Sequence, residues 1–598
     1  MFRTPTIRVL TLLSLLPVTS LGAQAPAATL IRQVRVFDGS RLLSARDVLL
    51  QNDRIAAIGT TIPAPAGALV VDGANRTLLP GLIDSHTHAY GDALSDALAF
   101  GVTTALDMFT DPGEAAARRA EQKAGTASAR ADLFSAGVLT TVPKGHGTEY
   151  GIPIPTIAVP ESAQAFVDAR IAEGSDYIKI ILDDGSAYGI KLPTLSQATL
   201  VAVVRAAHAR KKMAVVHVGT LADARMAIDA GADGLMHLFV DRAPDAQFGK
   251  FVAAHHAFVV PTLTVLRSIA GTSAGSELAA DARLSPYLSA TGRNTLLSSF
   301  PFKNPSGYAA AEASVKQLKA AGATILAGTD APNPGTAHGI SMHRELELLV
   351  HAGLTPTEAL VAGTSAPARA FSLRDRGTIA VGQRADLLLV DGDPTQDIMA
   401  ARAIVSVWKG GVALDRAKVA STIAAQRVKG DAPALGLVSS FDDGTPKASF
   451  GMGWMISTDR MAGGTSAATI TLADGGATNT PKSLDVQGNI AAGLPYAWGG
   501  VMFMPSKQPM KATDLSKAQA IRFWAKGDGR TYKVMVFSES KGRAPLTADF
   551  VAGSEWKEFV FPISSFGGID GHDIQGIAFT AGPDAGIFAF KLDEVRVQ

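Results

Sequence analysis

His86-Thr87-His88 is a pair of histidines separated by one residue, and it directly follows the apolar residues 78–84. If that apolar run is a strand, the two imidazoles share one face and can reach the same metal ion, because side chains alternate along a strand. The polar end of an ordinary strand would show the same pattern. The metal-ligand interpretation therefore depends on what the rest of the chain supplies.

Four later apolar segments each carry one more residue that can bind a metal ion, directly or after modification. These residues are Lys179, His217, His237 and Asp330. The segments are almost continuously apolar and are spaced widely enough for helices between them, which is typical of parallel strands buried on both faces. In a (β/α)8 barrel the catalytic residues lie at the C-terminal ends of such strands. The sequence therefore predicts an α/β fold with a TIM barrel.

These residues, in this order, resemble the amidohydrolase superfamily, and within it the imidazolonepropionase-like and prolidase-like branch, over about residues 30–411. In that family a His-x-His pair lies on strand 1, a carboxylated lysine on strand 4, single histidines on strands 5 and 6, and an aspartate on strand 8. The resemblance implies two divalent metal ions with the ligands His86, His88, Lys179, His217, His237 and Asp330. The pair and the aspartate would hold one ion, the single histidines the other, and the lysine would bridge both as its carbamate.

Physical chemistry favours a modified Lys179 independently of the resemblance. An ammonium group in a buried strand is costly unless it is paired, whereas a neutral amine can take up carbon dioxide and become an anion that offsets the metal charge. Zinc is the expected metal for histidine-rich ligation with bridging oxygen, and manganese, cobalt and nickel would also fit. Metals that select cysteine are excluded, because the chain has no cysteine.

The expected reaction is attack by a hydroxide that bridges the two metal ions. Divalent ions acidify a bound water molecule, so that hydroxide is present at neutral pH, and they polarise the scissile carbonyl. Asp330 would take up the proton of the hydroxide and pass it to the leaving amine.

Three further residues are candidates for contacts with substrate. His146 lies between two glycines, which let a loop approach a ligand closely, and this Gly-His-Gly resembles the prolidase-like branch, where the histidine assists at the substrate carbonyl or carboxylate. A plain loop residue is the alternative for His146. Tyr188 and Arg267 follow strands 4 and 7 and could meet a substrate hydroxyl or carboxylate. His338, after Asp330, is interpreted as part of the loop architecture.

The composition divides the chain into two units. Eleven of the twelve histidines precede Gly353, whereas four of the five tryptophans follow Phe441. The barrel is predicted over residues 81–373, flanked by the two parts of a small split β-sandwich at residues 26–80 and 374–430, as in the amidohydrolase pattern. Residues 430–436 are interpreted as a linker. The remaining histidines of the first unit match no ligand position and are expected on helices or loops: His208, His255, His256, His343 and His351.

Residues 1–25 are predicted to be a cleaved signal peptide. Arg3 and Arg8 precede a short apolar run at residues 9–16. Small residues suited to a signal peptidase follow this run, so cleavage is expected after Ala25 or Ala27. The apolar run is too short for a comfortable membrane span. We therefore expect a periplasmic or secreted protein without a membrane span.

Residues 438–598 change to short, evenly spaced strands, the signature of a β-sandwich. This segment resembles the complex I intermediate-associated protein family, on residues 523–527, 556–566 and 592–595. The resemblance implies a jelly roll of the galactose-binding type, with a carbohydrate or protein as a candidate ligand. We interpret its aromatic residues as core and assign it no role in catalysis.

Together these observations predict an exported, binuclear, metal-dependent amidohydrolase that cleaves an amide bond in a dipeptide or N-acyl amino acid. Hydrolysis of a lactone, ester or cyclic amide on the same site is the enzymatic alternative. A non-catalytic, glycan-binding surface protein is the alternative from another class. The 55 basic and 54 acidic residues are nearly balanced and form no basic block, so nucleic acid is not expected as a partner.

Overall fold

The computed structural model describes residues 28–148, 153–271, 275–300, 303–426, 435–462, 464–492, 494, 496–507, 511–541 and 545–598. The predicted signal peptide and cleavage positions, Glu149 and Tyr150 after the His146 loop, and most of the predicted linker lie outside these residues.

Eight strands from two distant parts of the chain form one mixed sheet. The first part supplies β1 (Ala28–Phe37), β2 (Leu42–Gln51), β3 (Arg54–Gly59), β4 (Leu69–Asp72) and β5 (Arg76–Pro80). The second part supplies β14 (Leu387–Asp391), β15 (Ile404–Lys409) and β16 (Val412–Ala413). The order is β16-β15-β14-β5-β1-β2-β3, with β4 paired to β1, so the antiparallel β5–β14 pair joins the two parts.

Eight parallel strands lie between these two parts. They are β6 (Leu82–Thr87), β7 (Val102–Asp107), β8 (Asp132–Ser135), β9 (Ile178–Leu182), β10 (Ala214–Val218), β11 (Gly234–Met236), β12 (Phe258–Val260) and β13 (Thr324–Ile325). Strands β6 to β8 form one sheet and β9 to β13 another, each in chain order. Nearly every residue of these strands is buried, which explains why the sequence reads as continuous apolar runs.

Hydrogen bonds connect the two parallel sheets at both edges. The amide N–H of His88 donates to the carbonyl of Ala331 beyond β13 at 2.8 Å. At the other edge the N–H of Thr140 donates to the carbonyl of Lys179 at 2.8 Å, and that of Ile181 donates to the carbonyl of Thr140 at 2.9 Å. The segment is therefore a TIM-barrel-type domain with a mixed α/β core.

Two of the predicted strands are shorter than the sequence indicates. The apolar residues 133–142 predict one long third strand, but β8 ends at Ser135 and pairing resumes only at Thr140. Gly137 has a left-handed φ of 63° and interrupts the extended backbone. The last strand, predicted over residues 323–330, is regular only at Thr324–Ile325.

Helices follow most of the parallel strands and cover their sheets. They are α1 (Ala93–Ala99), α2 (Pro112–Ala124), α3 (Ala163–Ala172), α4 (Gln197–Ala209), α5 (Leu221–Asp229), α6 (Phe248–Ala254), α7 (Leu263–Ile269), α8 (Gly275–Ala280), α9 (Ala290–Leu297), α10 (Pro305–Ala320), α11 (Ile340–His351), α12 (Pro356–Ala362), α13 (Ser365–Ala370) and α14 (Arg416–Gln426). Local signals begin several of them. Asp111, Ser196 and Thr355 each accept a backbone N–H at a helix start. Among the described helices none is long and apolar enough to cross a membrane.

The C-terminal region is all-β. Its strands are β17 (Gly436–Ser439), β18 (Gly453–Thr458), β19 (Ala467–Asp474), β20 (Lys482–Ile490), β21 (Gly499–Met504), β22 (Ala520–Gly527), β23 (Thr531–Ser538), β24 (Leu546–Val551), β25 (Lys557–Pro562), β26 (Ile574–Ala581) and β27 (Gly586–Val597). They form antiparallel sheets of six and five strands around one apolar core. Phe503, Phe523 and Phe579 are fully buried in this core, whereas Trp524 and Trp556 are half-buried and Tyr496 is exposed.

Candidate metal centre

The residues of the predicted ligand set lie at or beyond the C-terminal ends of four parallel strands, apart from Lys179, which is the second residue of β9. His86 lies near the end of β6 and His88 just beyond it, and His217 lies near the end of β10. His237 directly follows β11, whereas Asp330 lies in the loop after β13. The parallel arrangement brings these ends to the same side of the sheets.

Asp330 lies against the histidines of β6. Its Oδ1 is 2.9 Å from Nε2 of His88 and 3.3 Å from Nε2 of His86, and its Oδ2 is 3.9 Å from Nε2 of His237. The rings of His86 and His237 are 4.4 Å apart between centroids. Ligand atoms of His86, His237 and Asp330 all lie within 4.8 Å of one another, close enough to share one metal ion.

A second group lies beside the first. The ligand atoms of His146, Asp183 and His217 also lie within 4.8 Å of one another, and the ring of His217 is 4.6 Å from that of His237. The predicted division placed His217 with His237 as metal ligands, and it gave His146 a catalytic and substrate-binding role but no metal. In the structure the His217 ring faces the Asp183 carboxylate, with Nε2 3.3 Å from Oδ2.

Asp183 was missed by the sequence reasoning, although it directly follows β9. Its buried carboxylate also accepts the N–H of Gly185 at 2.9 Å. Burial alone would raise the pKa of Asp183, but the hydrogen bond with His217 and the charge of that ring lower it to about 2. The available signal was a carboxylate at the end of the same run that contains Lys179.

Lys179 is 2% exposed. Burial lowers the pKa of its amine to about 7, against the opposing influence of the Asp330 and Asp107 carboxylates. A substantial fraction of the amine is therefore neutral at neutral pH, the form that reacts with carbon dioxide.

His86 and His237 suit metal ligation because they are buried and neutral. Burial, followed by the charge of Lys179, lowers the pKa of His86 far below its usual value, and burial does the same for His237. Among the described residues neither ring nitrogen of the fully buried His86 has a partner with hydrogen-bond geometry, although Oδ1 of Asp330 lies 3.3 Å from Nε2. A buried polar atom without a partner is costly, and a metal ion would satisfy it. The donor set therefore fits divalent ions.

The backbone around the centre adopts an uncommon conformation at three non-glycine residues. His237, Thr262 and Asp330 have φ values of 76°, 50° and 56°. The hydroxyl of Thr262 lies 2.7 Å from Nδ1 of His237 and fixes the orientation of that ring. Such left-handed residues cost free energy and are concentrated at functional sites.

Buried neighbours hold the two strands that carry His86 and Asp330. Thr329 donates its hydroxyl to Asp84 at 2.6 Å and its N–H to the same carboxylate at 3.0 Å. A Cβ on Gly328 would lie 2.8 Å from the backbone nitrogen of His86 and 2.5 Å from Cγ1 of Val260. Glycine is therefore required for the close approach of β6, β12 and the segment after β13.

The candidates for substrate contacts differ in where they lie. The His146 ring is 5.0 Å from that of His217, so this residue lies at the centre itself. Tyr188 lies in a 3-10 helix (Ser186–Tyr188) after β9, and burial, followed by the charges of Asp183 and Asp330, raises its pKa. Arg267 lies in α7, where its charge acts on Tyr308 of α10.

The other histidines behave as expected. Nε2 of His338 lies 3.1 Å from the carbonyl oxygen of His88, so this residue supports the loop. The five remaining histidines of the N-terminal unit lie in α4 and α11 or directly after α6: His208, His343, His351, His255 and His256.

Known protein families match most of the chain. The amidohydrolase family model matches residues 77–414, and the complex I intermediate-associated protein 30 (CIA30) model matches residues 442–571. An imidazolonepropionase from Deinococcus radiodurans is 28% identical over 407 residues, which cover 61% of this chain and 91% of that protein. A dihydroorotase from Mycobacterium leprae is 27% identical over 423 residues, covering 62% and 90%.

The fold is also found among solved structures. A Xaa-Pro dipeptidase with bound methionine in its active site superposes with a TM-score of 0.54 at 22% identity, covering 65% of this chain and 99% of that one. At this identity the likeness concerns the fold.

Proposed function

Because the chain belongs to the amidohydrolase family and is thus a hydrolase of carbon–nitrogen bonds, we propose that it cleaves an amide bond at a binuclear metal centre. The observation that carries the proposal is the grouping of the buried, neutral His86 and His237 with Asp330, beside Lys179 and His217. We further propose that the eight parallel strands close into a barrel around this cluster. The hydrogen bonds between the two sheets at both edges support this.

The proposed ligands are those of the family pattern. His86, His88 and Asp330 would hold one ion, His217 and His237 would hold the other, and Lys179, as N6-carboxylysine, would contribute a further anionic ligand. Zinc is the proposed metal. Bound divalent ions supply a water acidified to hydroxide and polarise the scissile carbonyl.

The protein's own groups position the reactants and move the proton. Oδ1 of Asp330 lies between the two histidines of β6, where the carboxylate can take the proton of the attacking water and deliver it to the departing nitrogen. His146, whose ring is 5.0 Å from that of His217, would assist at the substrate carbonyl. Asp183 adds a second carboxylate beside His217, where it fixes the ring and contributes negative charge.

The substrate that we propose is a dipeptide or N-acyl amino acid with a free carboxylate. The likeness to a Xaa-Pro dipeptidase supports this class, and Tyr188 and Arg267 remain the proposed contacts. Hydrolysis of a cyclic amide is the second candidate, favoured by the imidazolonepropionase and dihydroorotase relatives. We also propose that the chain is exported, on the evidence of the basic and apolar residues at its N-terminus.

The decisive experiment measures hydrolysis by protein without residues 1–25, loaded with zinc in bicarbonate. The substrates are Xaa-Pro and other dipeptides, N-acyl amino acids and cyclic amides. We expect amine release from one linear class, and its loss in Asp330→Asn. Asp184→Asn is the matched control, because among the described residues Asp184 belongs to neither group of clustered ligand atoms and its carboxylate accepts a local N–H from Ser186 at 2.9 Å.

Opening of a cyclic amide without release from linear substrates would favour the second candidate. Wild-type turnover by Asp330→Asn would contradict the proposed mechanism, whichever substrate is cleaved.

A further inference from the structure

A cavity of about 600 Å³ lies where the catalytic domain meets the C-terminal region. Its volume is in the range of small-molecule sites, roughly 300–1,000 Å³. Three segments of the catalytic domain line it, residues 90–96, 289–299 and 332–338. The fourth wall is Lys541, in a short 3-10 helix (Glu539–Lys541) that packs against α9.

The charged groups of this cavity are arranged by domain. Asp92 and Asp96 line it from the catalytic domain, and they lie one turn apart, because the N–H of Asp96 donates to the carbonyl of Asp92 at 2.9 Å. The hydroxyl of Ser289 donates to Asp96 at 2.7 Å and holds that side chain in place. Lys541, exposed and on the C-terminal region, is the lysine among the lining residues.

The rest of the lining is small and partly apolar. Ala93, Ala290, Leu297, Pro334 and Ala337 provide apolar surface beside serine and threonine hydroxyls. A ligand that matches this wall carries one cationic group, one anionic group and a modest apolar part.

We propose that this cavity binds a free amino acid, with its ammonium group held by Asp92 and Asp96 and its carboxylate held by Lys541. The C-terminal region then completes a binding site on the catalytic domain. The site is separate from the metal centre, because none of the six proposed metal ligands is among the described residues that line it.

The site is nevertheless connected to the catalytic loops. Tyr90 follows His88 by two residues, and Pro332 follows Asp330 by two. His338 lines the cavity and contacts the carbonyl of His88. The loops that carry ligands of the first metal ion therefore also border the cavity.

Binding is tested on the full mature chain without any need for turnover. The proteinogenic amino acids are screened by thermal shift, and the best ligand is titrated by calorimetry beside two analogues, the amine that lacks its carboxylate and the acid that lacks its amino group. Apart from asparagine and glutamine, whose side chains carry a primary amide, none of these compounds contains an amide bond that the enzyme could cleave. Each analogue is expected to bind at least about tenfold more weakly, the loss of one charge-assisted contact.

Variants identify the groups that make each contact. Lys541→Gln is expected to weaken binding of the amino acid at least about tenfold and to leave the affinity for the amine unchanged. Asp96→Asn is expected to weaken binding of both the amino acid and the amine and to leave the affinity for the acid unchanged. Lys517→Gln replaces an exposed lysine of the same region outside the cavity and is the control, with unchanged affinity.

Removal of metal by a chelator separates this site from the catalytic centre. Affinity retained after chelation supports the cavity site, and affinity lost with the metal overturns it. The proposal is also overturned if no amino acid binds, or if binding is the same in Lys541→Gln and Asp96→Asn as in the wild type.

Discussion

Asp183 places a negative charge next to His217 in a cluster composed mainly of histidines. We predict that Asp183→Asn lowers both metal retention and kcat/KM by roughly 10- to 100-fold, the usual effect of losing a carboxylate that orients a metal ligand. Metal content after dialysis and initial rates measure the two effects. Asp184→Asn should leave both unchanged, and equal behaviour of the two variants would contradict the role of Asp183.

At the residue scale, the sequence reveals the groups whose types are unusual where they occur. A His-x-His pair after an apolar run and a lysine within an apolar run are both uncommon. The structure brings these residues together with His217, His237 and Asp330. Asp183 and Asp107 escape notice because an aspartate after a strand is also an ordinary turn residue. Their importance comes from tertiary contacts, such as the Asp107 carboxylate accepting the N–H of Ala89 at 2.7 Å and the Ser135 hydroxyl.

Glu345 of α11 links two elements near the centre. It accepts the N–H groups of Leu263 and Thr264 at 2.9 and 2.7 Å, and so caps α7 from a neighbouring helix. Thr262, the residue before α7, provides no cap of its own. Since Thr262 holds the His237 ring, the start of α7 connects Glu345 to the metal centre.

Burial raises the pKa of Glu345 to about 7 from a usual value of 4.5. The folded protein therefore holds this proton more tightly than the unfolded chain. The stabilisation is fully present below about pH 4.5 and is lost as the pH rises through about 7, at a cost on the order of 3 kcal/mol.

We predict that Glu345→Gln reduces the decline of the urea midpoint between pH 5 and pH 8, because the amide does not ionise. Unfolding followed by near-UV circular dichroism at a series of pH values measures it. A decline as steep as in the wild type would show that Glu345 does not titrate in this range.

The contact between β6, β12 and the segment after β13 depends on Gly328. We predict that Gly328→Ala moves β6 relative to Asp330, lowers kcat/KM by about 100-fold and destabilises the protein by about 1–3 kcal/mol. Activity and unfolding midpoints measure the two effects. Gly553→Ala is the matched control, since a Cβ there meets nothing within 4 Å. Wild-type activity in Gly328→Ala would show that this approach is not needed.

At the element scale, the long apolar runs identified the strands, but not their ends. The run at residues 133–142 exceeds β8 because a residue's polarity carries no information on the turn at Gly137. The C-terminal strands were better predicted, since β22, β23, β25 and β26 closely match the alternating runs. There one face is buried and one is partly exposed, and the alternation is visible in the residues themselves.

At the scale of the whole molecule, buried ion pairs join the parallel strands to the mixed sheet. Asp132 of β8 contacts Arg376 at 2.7 Å and Lys409 of β15 at 2.9 Å, and Lys409 also contacts Asp386 at 2.9 Å. Burial would raise the pKa of Asp132, but the charges of Lys409, Arg376 and Arg384 lower it below its usual value.

We predict that Asp132→Asn destabilises the protein by about 3–5 kcal/mol, because two buried cations lose a partner. Asp53→Asn, which disrupts an exposed pair with Arg54, should cost less than about 1 kcal/mol. Urea unfolding compares the two variants. Equal stability of the variants would show that the remaining carboxylates compensate fully.

The division of the chain was visible in composition, because histidines and tryptophans separate along it. The cavity at Lys541 was not, since its walls come from residues about 90, 290, 335 and 541 and depend on how the two regions pack. No local pattern records such a juxtaposition.

The pairing of β5 with β14 has a consequence for synthesis of the chain. Residues 76–80 pair with residues 387–391. Synthesis must therefore add more than 300 residues after β5 before this pair of strands can form. Until then β5 offers an open edge to other chains. Such distant pairing slows folding, because loop-closure entropy is lost before the contacts form. The catalytic domain is therefore completed late and as a unit, after its last parallel strand has already been made.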